Sequence, residues 1–245
     1  MNNLVFLGVQ SKNELLQNQK VLQAMSLALA REEIASSAYQ GHASASAIPF
    51  RPDWHALKGL TCADVKQNKE AAVQLLQEAG FDKTNASGAR TGNGKALTFT
   101  LIVNQGNPFR LSAANLIATQ LSAVGIKITV SQLAWADYTK AVQGGSFDLY
   151  LGEVKLSNNM SLLPFFEESG ATQAGVNLEG ALAAAYHQML TGAVSLQDFL
   201  NSFQESPAFL PICLRKGVAA RSRDVQGKLI SYSGDVYANL QDWHF

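Results

Sequence analysis

The sequence predicts an α/β fold with an open, largely parallel sheet flanked by helices. The prediction rests on the stretch from Ala96 to Glu153, where strand-like alternation and helix-like spacing of apolar residues follow each other in turn. The order is strand, helix, strand, helix, strand. Such units wind right-handed into a parallel sheet, with the helices packed on its faces.

The first half of this unit has clear start and stop signals. Residues 97–103 alternate between apolar and smaller or polar side chains, as strands do. Asn107 followed by Pro108 predicts the start of a helix, because asparagine caps helices and proline suits the first turn. Apolar residues three and four apart then mark one buried helix face: Ala114, Ile117, Leu121 and Val124. Gly125 predicts the end of this helix.

The second half repeats the pattern and points to a ligand site. Residues 126–131 alternate as a second strand, residues 136–142 form a short amphipathic helix, and a third strand begins at Phe147. Open sheets of this kind bind ligands beyond the carboxyl ends of their parallel strands. Residues 104–105 and 152–155 follow such ends, so we expect a ligand site there.

Weaker patterns predict the remaining elements. The predictions are a strand at 4–7, a helix at 17–34, a long irregular segment at 36–66, a helix capped by Asn68, exposed turns at 84–95, a helix starting at 157–159, helices around 182–189 and 196–203, and a strand at 209–214. Within the last strand, Pro211 predicts an edge position or a bulge, since proline cannot donate to the ladder.

Composition excludes two classes of partner. The 245 residues carry 19 basic and 19 acidic side chains, so the formal net charge is zero. A neutral chain has no electrostatic preference for nucleic acid. No apolar run approaches the ~20 residues of a membrane span, so we expect no direct span.

No catalytic, metal or cofactor motif is recognisable. The four histidines show no metal-ligand spacing, and no Gly-x-Ser-x-Gly elbow occurs. An alternative function nevertheless stays open at this point. The chain would then be a small α/β enzyme acting on a polar small molecule, with catalytic groups on loops distant in sequence. Cys62 and Cys213 form either two buried thiols or one bridge.

Several segments, in order, resemble the solute-binding proteins of peptide, nickel and related ABC importers, known as family 5. Residues 21–34 resemble the family's "vRqAlsyAiDReeI" helix, and residues 69–81 its "A..LL.EAGF" signature. Residues 120–128 and 145–149 resemble "qL..iGi.v" and "g.fDl". The resemblance covers about residues 4 to 220.

This resemblance implies a type II clamp of two lobes, of which residues 1–245 form one α/β domain, the carboxyl-terminal lobe. Residues 4–10 and 225–245 would be crossover and tail segments toward a first lobe that has no counterpart here. The family captures an extracytoplasmic solute, such as an oligopeptide or similar polar solute, and delivers it to ABC permease subunits. It also implies a periplasmic or cell-surface location, anchored as a lipoprotein.

One segment departs from the peptide-binding members of the family. Their third strand is followed by Gly-Trp and then by an acidic residue that binds the peptide α-ammonium. Here Glu153 replaces the aromatic residue, and Leu156 or Ser157 falls near the acidic position. The identity of the solute (peptide, metal chelate, sugar or other) therefore stays open.

Four residues at this point form the predicted ligand site. Glu153 and Lys155 are two apart at the strand's carboxyl end, so they face the same way. Asn158 and Asn159 add amide groups and a positive helix end that suits anionic ligand groups. The alternative is that Glu153 and Lys155 pair with each other on a solvated rim.

Overall fold

The fold is built on a six-stranded open sheet. The computed structural model describes residues 2–61, 66–217, 221–230, 235 and 237–244. The sheet strands are β1 (Asn3–Val9), β2 (Ala43–Ala45), β6 (Thr98–Asn104), β7 (Lys127–Leu133), β8 (Leu149–Lys155) and β9 (Phe209–Arg215). Their order across the sheet is β2-β9-β1-β8-β6-β7.

The remaining strands form a small separate sheet. Its members are β3 (Lys83–Thr84), β4 (Arg90–Gly92) and β5 (Lys95–Ala96), which pair antiparallel in that order. They occupy the region predicted as exposed turns. Two- and three-residue strands carry too little alternation to be recognised from sequence.

The predicted strand–helix unit is confirmed, and with it the α/β class. β6 lies parallel to both β7 and β8. The sheet as a whole is mixed rather than largely parallel, because β1 runs antiparallel to β8 and β9, and β9 antiparallel to β2. The crossover rule fixes direction only for strands joined by a short connection, and β1 is distant in sequence from β8.

Helices cover both faces of the sheet. They are α1 (Gln19–Ala28), α2 (Arg31–Glu33), α3 (Lys69–Glu78), α4 (Pro108–Ser122), α5 (Trp135–Gln143), α6 (Leu163–Phe166), α7 (Ala181–Leu190) and α8 (Leu196–Glu205). Buried side chains of α1, α3 and α4 form one core cluster with the sheet, and those of α5 to α8 form the other.

Strand β1 is the central element between these two cores. Its alternating side chains divide between the faces: Val5 and Leu7 join the first core, Leu4 and Phe6 the second. The predicted segment 4–10 is therefore a buried middle strand of the sheet. On its other side, the register with β9 shifts between Val5 and Phe6, which confirms the bulge predicted from Pro211.

Local capping explains several of the helix boundaries. The Asn107 side chain accepts a hydrogen bond from the Arg110 backbone N–H at 3.0 Å, and Gly125 adopts a φ of +89°, so both α4 signals are confirmed. The predicted helix over 17–34 is divided in two. Its break follows Ala28, where the Arg31 guanidinium donates to the Ser26 carbonyl at 2.9 Å and caps the end of α1.

The long segment over 36–66 is ordered in its described part. It begins within a π-helical turn (Ile34–Ala38) and contains strand β2 and a 3₁₀ turn (His55–Leu57). Ile48 and Phe50 bury against the second core, so the segment wraps over a neighbour. Cys62 lies outside the described residues, and Cys213 is a buried free thiol. No helix in the described part of the chain is long and apolar enough to cross a membrane.

Candidate functional site

One edge of the sheet collects an end of each of the six strands, and we call it the polar edge. Strands β6, β7 and β8 end there at Asn104, Leu133 and Lys155. Asn3, the first residue of β1, pairs with Lys155 on one side and with Arg215, the last residue of β9, on the other. The predicted ligand edge is thus also where β1 begins and β9 ends.

An ion cluster lies just inside this edge. The Glu153 carboxylate accepts hydrogen bonds from Arg215 Nη1 at 2.9 and 3.0 Å and from Arg110 Nη2 at 3.1 Å. The Glu153 side chain is 11% exposed, that of Arg110 15% and that of Arg215 32%. Charge-assisted hydrogen bonds of this length are strong, so the two guanidinium groups hold the carboxylate in place.

The fold brings the three charges together from different elements. Glu153 lies on the same face of β8 as Leu151 and Leu149, because side chains two residues apart on a strand point to the same side, and so it faces the core that contains α4. Arg110 lies in the first turn of α4, which the Asn107 cap fixes directly after β6. Arg215 arrives from β9, two strands away from β8.

Tyr39 and Cys213 complete the surroundings of the cluster. Burial raises the pKa of the Tyr39 hydroxyl, and Cys213 and Glu153 raise it further. Burial also raises the pKa of the Cys213 thiol to about 12, with a further contribution from Glu153. Both groups are therefore protonated at neutral pH. The Tyr39 ring stacks on Phe109, with centroids 6.4 Å apart.

Lys155 lies at the polar edge with an exposed side chain. It does not pair with Glu153, whose ion-pair partners are Arg110 and Arg215. The alternative of a Glu153–Lys155 pair on the rim is therefore wrong. The reason is that Glu153 points under the start of α4, while Lys155 lies at the end of the strand.

Asn158 and Asn159 also lie beside this edge, in a turn. No helix starts at residues 157–159, because the Asn159 side chain accepts from the Ser157 hydroxyl and the Ser161 backbone N–H and closes a turn. The Asn158 side chain accepts from the Asn2 amide at 3.1 Å. The next helix begins only at Leu163 and has four residues, so the expected positive helix end is absent at these two asparagines.

Two exposed aromatic residues at the edge were missed. Phe109 and Trp135 follow β6 and β7 at the first turns of α4 and α5. Their positions just beyond parallel-strand ends were a usable signal. Arg110 shares that signal. No sequence signal identified Arg215 or Tyr39 as site residues, since neither the direction of β9 nor the path of the segment after α2 follows from local sequence.

A second concavity lies at the opposite end of β1. It measures about 530 Å³ and is lined by Val9, Ser11, Gly175 and residues of α1, α7 and α8. It contains none of the four predicted ligand residues. Among the described residues, no group of three or more His, Cys, Asp or Glu side chains is arranged to hold a metal ion.

Comparisons with known proteins agree with this architecture. The family model described as bacterial extracellular solute-binding proteins, family 5 Middle, matches residues 1–171. The oligopeptide-binding protein AppA of Bacillus subtilis is 34% identical over 145 residues, which is 59% of this chain and 27% of that protein.

Solved structures show the same fold. The structure of AppA from Bacillus subtilis in complex with a nonapeptide superposes with a TM-score of 0.76 at 24% identity, covering 98% of this chain and 50% of that one. NikA from Brucella suis in complex with Fe(III)-EDTA gives a TM-score of 0.72 at 18% identity, covering 87% and 45%.

The chain thus spans about a quarter of the curated relative and about half of each solved chain. The family match extends over well more than half of this chain, from the first strand through the polar edge and the turn after it. The chain belongs to family 5 of the bacterial extracellular solute-binding proteins.

Proposed function

We propose that this chain forms one lobe of a two-lobed clamp that captures a polar solute and delivers it to ABC permease subunits. An oligopeptide or a compound of similar polarity is the solute class we favour. The observation that carries the proposal is the polar edge, where β1 begins and β9 ends beside the carboxyl ends of β6, β7 and β8.

This arrangement suits a clamp for a simple geometric reason. A neighbouring lobe joined through β1 and β9 would face the same edge to which the sheet topology assigns ligands. Segments 4–10 and 225–245 would then connect toward that lobe, and residues 1–245 would act as a single domain. The exposed rings of Phe109 and Trp135 would face the cleft between the lobes.

We infer that the solute contacts lie among Glu153, Lys155, Asn158 and Asn159, together with the aromatic residues of the edge. Lys155 and Asn158 have exposed side chains at this edge, and Glu153 lies just beneath them. Alanine at Lys155 or Asn158 in the two-lobed protein should weaken solute binding. A change of less than about twofold in both variants would remove these residues from the site.

We further infer that the chain has no catalytic role and that the full-length protein works outside the cytoplasm, anchored to the membrane. Support comes from the relatives, which are described as binding proteins. An enzymatic function would require a nucleophilic side chain in contact with a general base such as histidine. His187, whose Nε2 contacts the Phe166 carbonyl at 3.0 Å, has a structural role instead.

Calorimetry tests the clamp directly. Binding sites for small molecules enclose roughly 70–90% of the ligand surface, and one lobe supplies only part of that. A peptide that binds the two-lobed protein should therefore bind this chain at least about a hundredfold more weakly, a difference of about 2.7 kcal/mol. Equal affinities of the two proteins would contradict the proposal.

A further inference from the structure

The last rung of the polar edge is a row of three polar residues on one face of the sheet. Asn3 lies opposite Lys155 on β8 and opposite Arg215 on β9. Directly paired residues of neighbouring strands point to the same side. Lys155 and Arg215 therefore flank Asn3 at about 5 Å of strand spacing on each side, within reach of one small ligand group.

The charges around this rung do not balance. Arg110, Arg215 and Lys155 are cationic, and the carboxylate of Glu153, which only the two arginines share, is the one acidic group of the ion cluster. Both contacts of Arg215 to Glu153 are made by Nη1, so Nε and Nη2 lie outside this ion pair. Arg215 is also the more exposed of the two arginines. A positive charge therefore faces solvent beside the exposed Lys155.

Two buried hydrogen-bond donors at the ion cluster lack an acceptor. The Tyr39 hydroxyl and Arg110 Nε are buried and have no hydrogen-bond partner among the described residues. Tyr39 as a whole is only 3% exposed. Leaving buried donors unpaired is costly, and what both groups lack is an acceptor. An ionised carboxylate is acceptor-only and offers about four lone-pair sites.

We propose that this rung binds a carboxylate of the solute, with Arg215 and Lys155 as its direct partners. Glu153 is then a positioning residue that holds Arg110 and Arg215, and it does not contact a ligand ammonium group. This inference rests on the proposed function and narrows the solute class to compounds with a free carboxylate. The Phe109 ring, which stacks on the Tyr39 ring with centroids 6.4 Å apart, lies beside one of the two buried donors.

Nuclear magnetic resonance on the ¹⁵N-labelled chain tests the proposal. The probes are Ala-Ala-Ala with a free carboxylate, the same peptide as its amide, and acetate. The free acid should shift the Arg215 Nε–H and Asn3 amide signals, and the amide should not. Arg215→Gln and Lys155→Gln should each weaken binding of the acid about tenfold, as expected for loss of a hydrogen bond to a charged group.

Matched variants distinguish a loss of ligand binding from a loss of folded structure. Lys83→Gln removes an exposed lysine of the small sheet and should leave the affinity unchanged. Lys155 lies outside the ion cluster, so Lys155→Gln reports on binding even where Arg215→Gln disturbs the fold. An unchanged affinity in Lys155→Gln would overturn the proposal.

The peptide comparison has equally definite outcomes. Equal shifts by acid and amide at the polar edge would overturn the carboxylate assignment and leave the solute-binding function intact. Sulfate or chloride shifting these signals as strongly as acetate does would identify a nonspecific anion site and would also overturn it. Shifts by both peptides only outside the polar edge would contradict the proposed function itself.

Discussion

Glu153→Gln should destabilise this chain strongly, because it removes the carboxylate shared by two arginines. Arg110 and Arg215 are mostly enclosed, with 15% and 32% of their side chains exposed. Removing one partner of a buried pair costs about 3–5 kcal/mol. Solvent screens part of the Arg215 contact, so we expect a loss of about 3 kcal/mol in the free energy of unfolding.

Urea denaturation measures this loss, and a surface pair supplies the control. Glu78 pairs with Lys20 at 2.9 Å, with 41% of the Glu78 side chain exposed. Exposed pairs contribute little because solvent screens them, so Glu78→Gln should shift the midpoint only slightly. In a thermal scan, a loss of about 3 kcal/mol should lower Tm by roughly 6–12 °C for a chain of this size.

A double variant tests whether the stability lost in Glu153→Gln comes from leaving the two arginines unpaired. Adding Arg110→Met to Glu153→Gln removes one of the two stranded cations, so part of the lost stability should return. Additive losses in the double variant would argue against coupling between these side chains. A Glu153→Gln protein no less stable than Glu78→Gln would refute the reasoning about the ion cluster altogether.

Three further predictions follow from single sites. Gly125→Ala should cost more stability in urea than Gly192→Ala, since both have positive φ but only at Gly125 would a Cβ meet Arg90 at 2.5 Å; equal costs would contradict this. Asn107→Ala should cost about 1 kcal/mol by removing the α4 cap, and an unchanged urea midpoint would show that Pro108 suffices. Burial raises the pKa of the Cys213 thiol to about 12 in the folded chain, against an ordinary 9.0, so above pH 9 the thiol loses its proton when the chain unfolds. The free energy of unfolding should therefore fall by about 1.4 kcal/mol per pH unit between pH 9 and pH 12. In Cys213→Ala the free energy of unfolding should fall less steeply over the same range.

Local signals predicted the central unit, and long-range pairing accounts for what they missed. The Asn107 cap, Gly125 and strand alternation each act within a few residues, so they read directly from the sequence. The direction of β1 depends on pairing with β8, which lies across most of the chain. No local pattern specifies that pairing, and the mixed sheet was therefore missed.

In the candidate site, too, some features follow from local sequence and others depend on long-range strand pairing. The position of Lys155 at the carboxyl end of β8 follows from the strand pattern alone. The partners of Glu153 do not, since Arg215 reaches it only because β9 lies two strands away in the sheet. The asparagine turn was misjudged for a related reason: Asn and Asp side chains that start helices also close turns, and here the Ser157 and Ser161 contacts favour the turn.

Hydrogen exchange of the two-lobed protein, with and without a bound peptide, tests the central claim most directly. The polar edge should gain protection at residues 104–110, 133–136 and 153–159, since a solute held there removes these amides from solvent and suppresses local opening. The region around the opposite concavity, residues 11–17 and 175–181, should exchange as before. Protection confined to that second region, with none at the polar edge, would contradict the account.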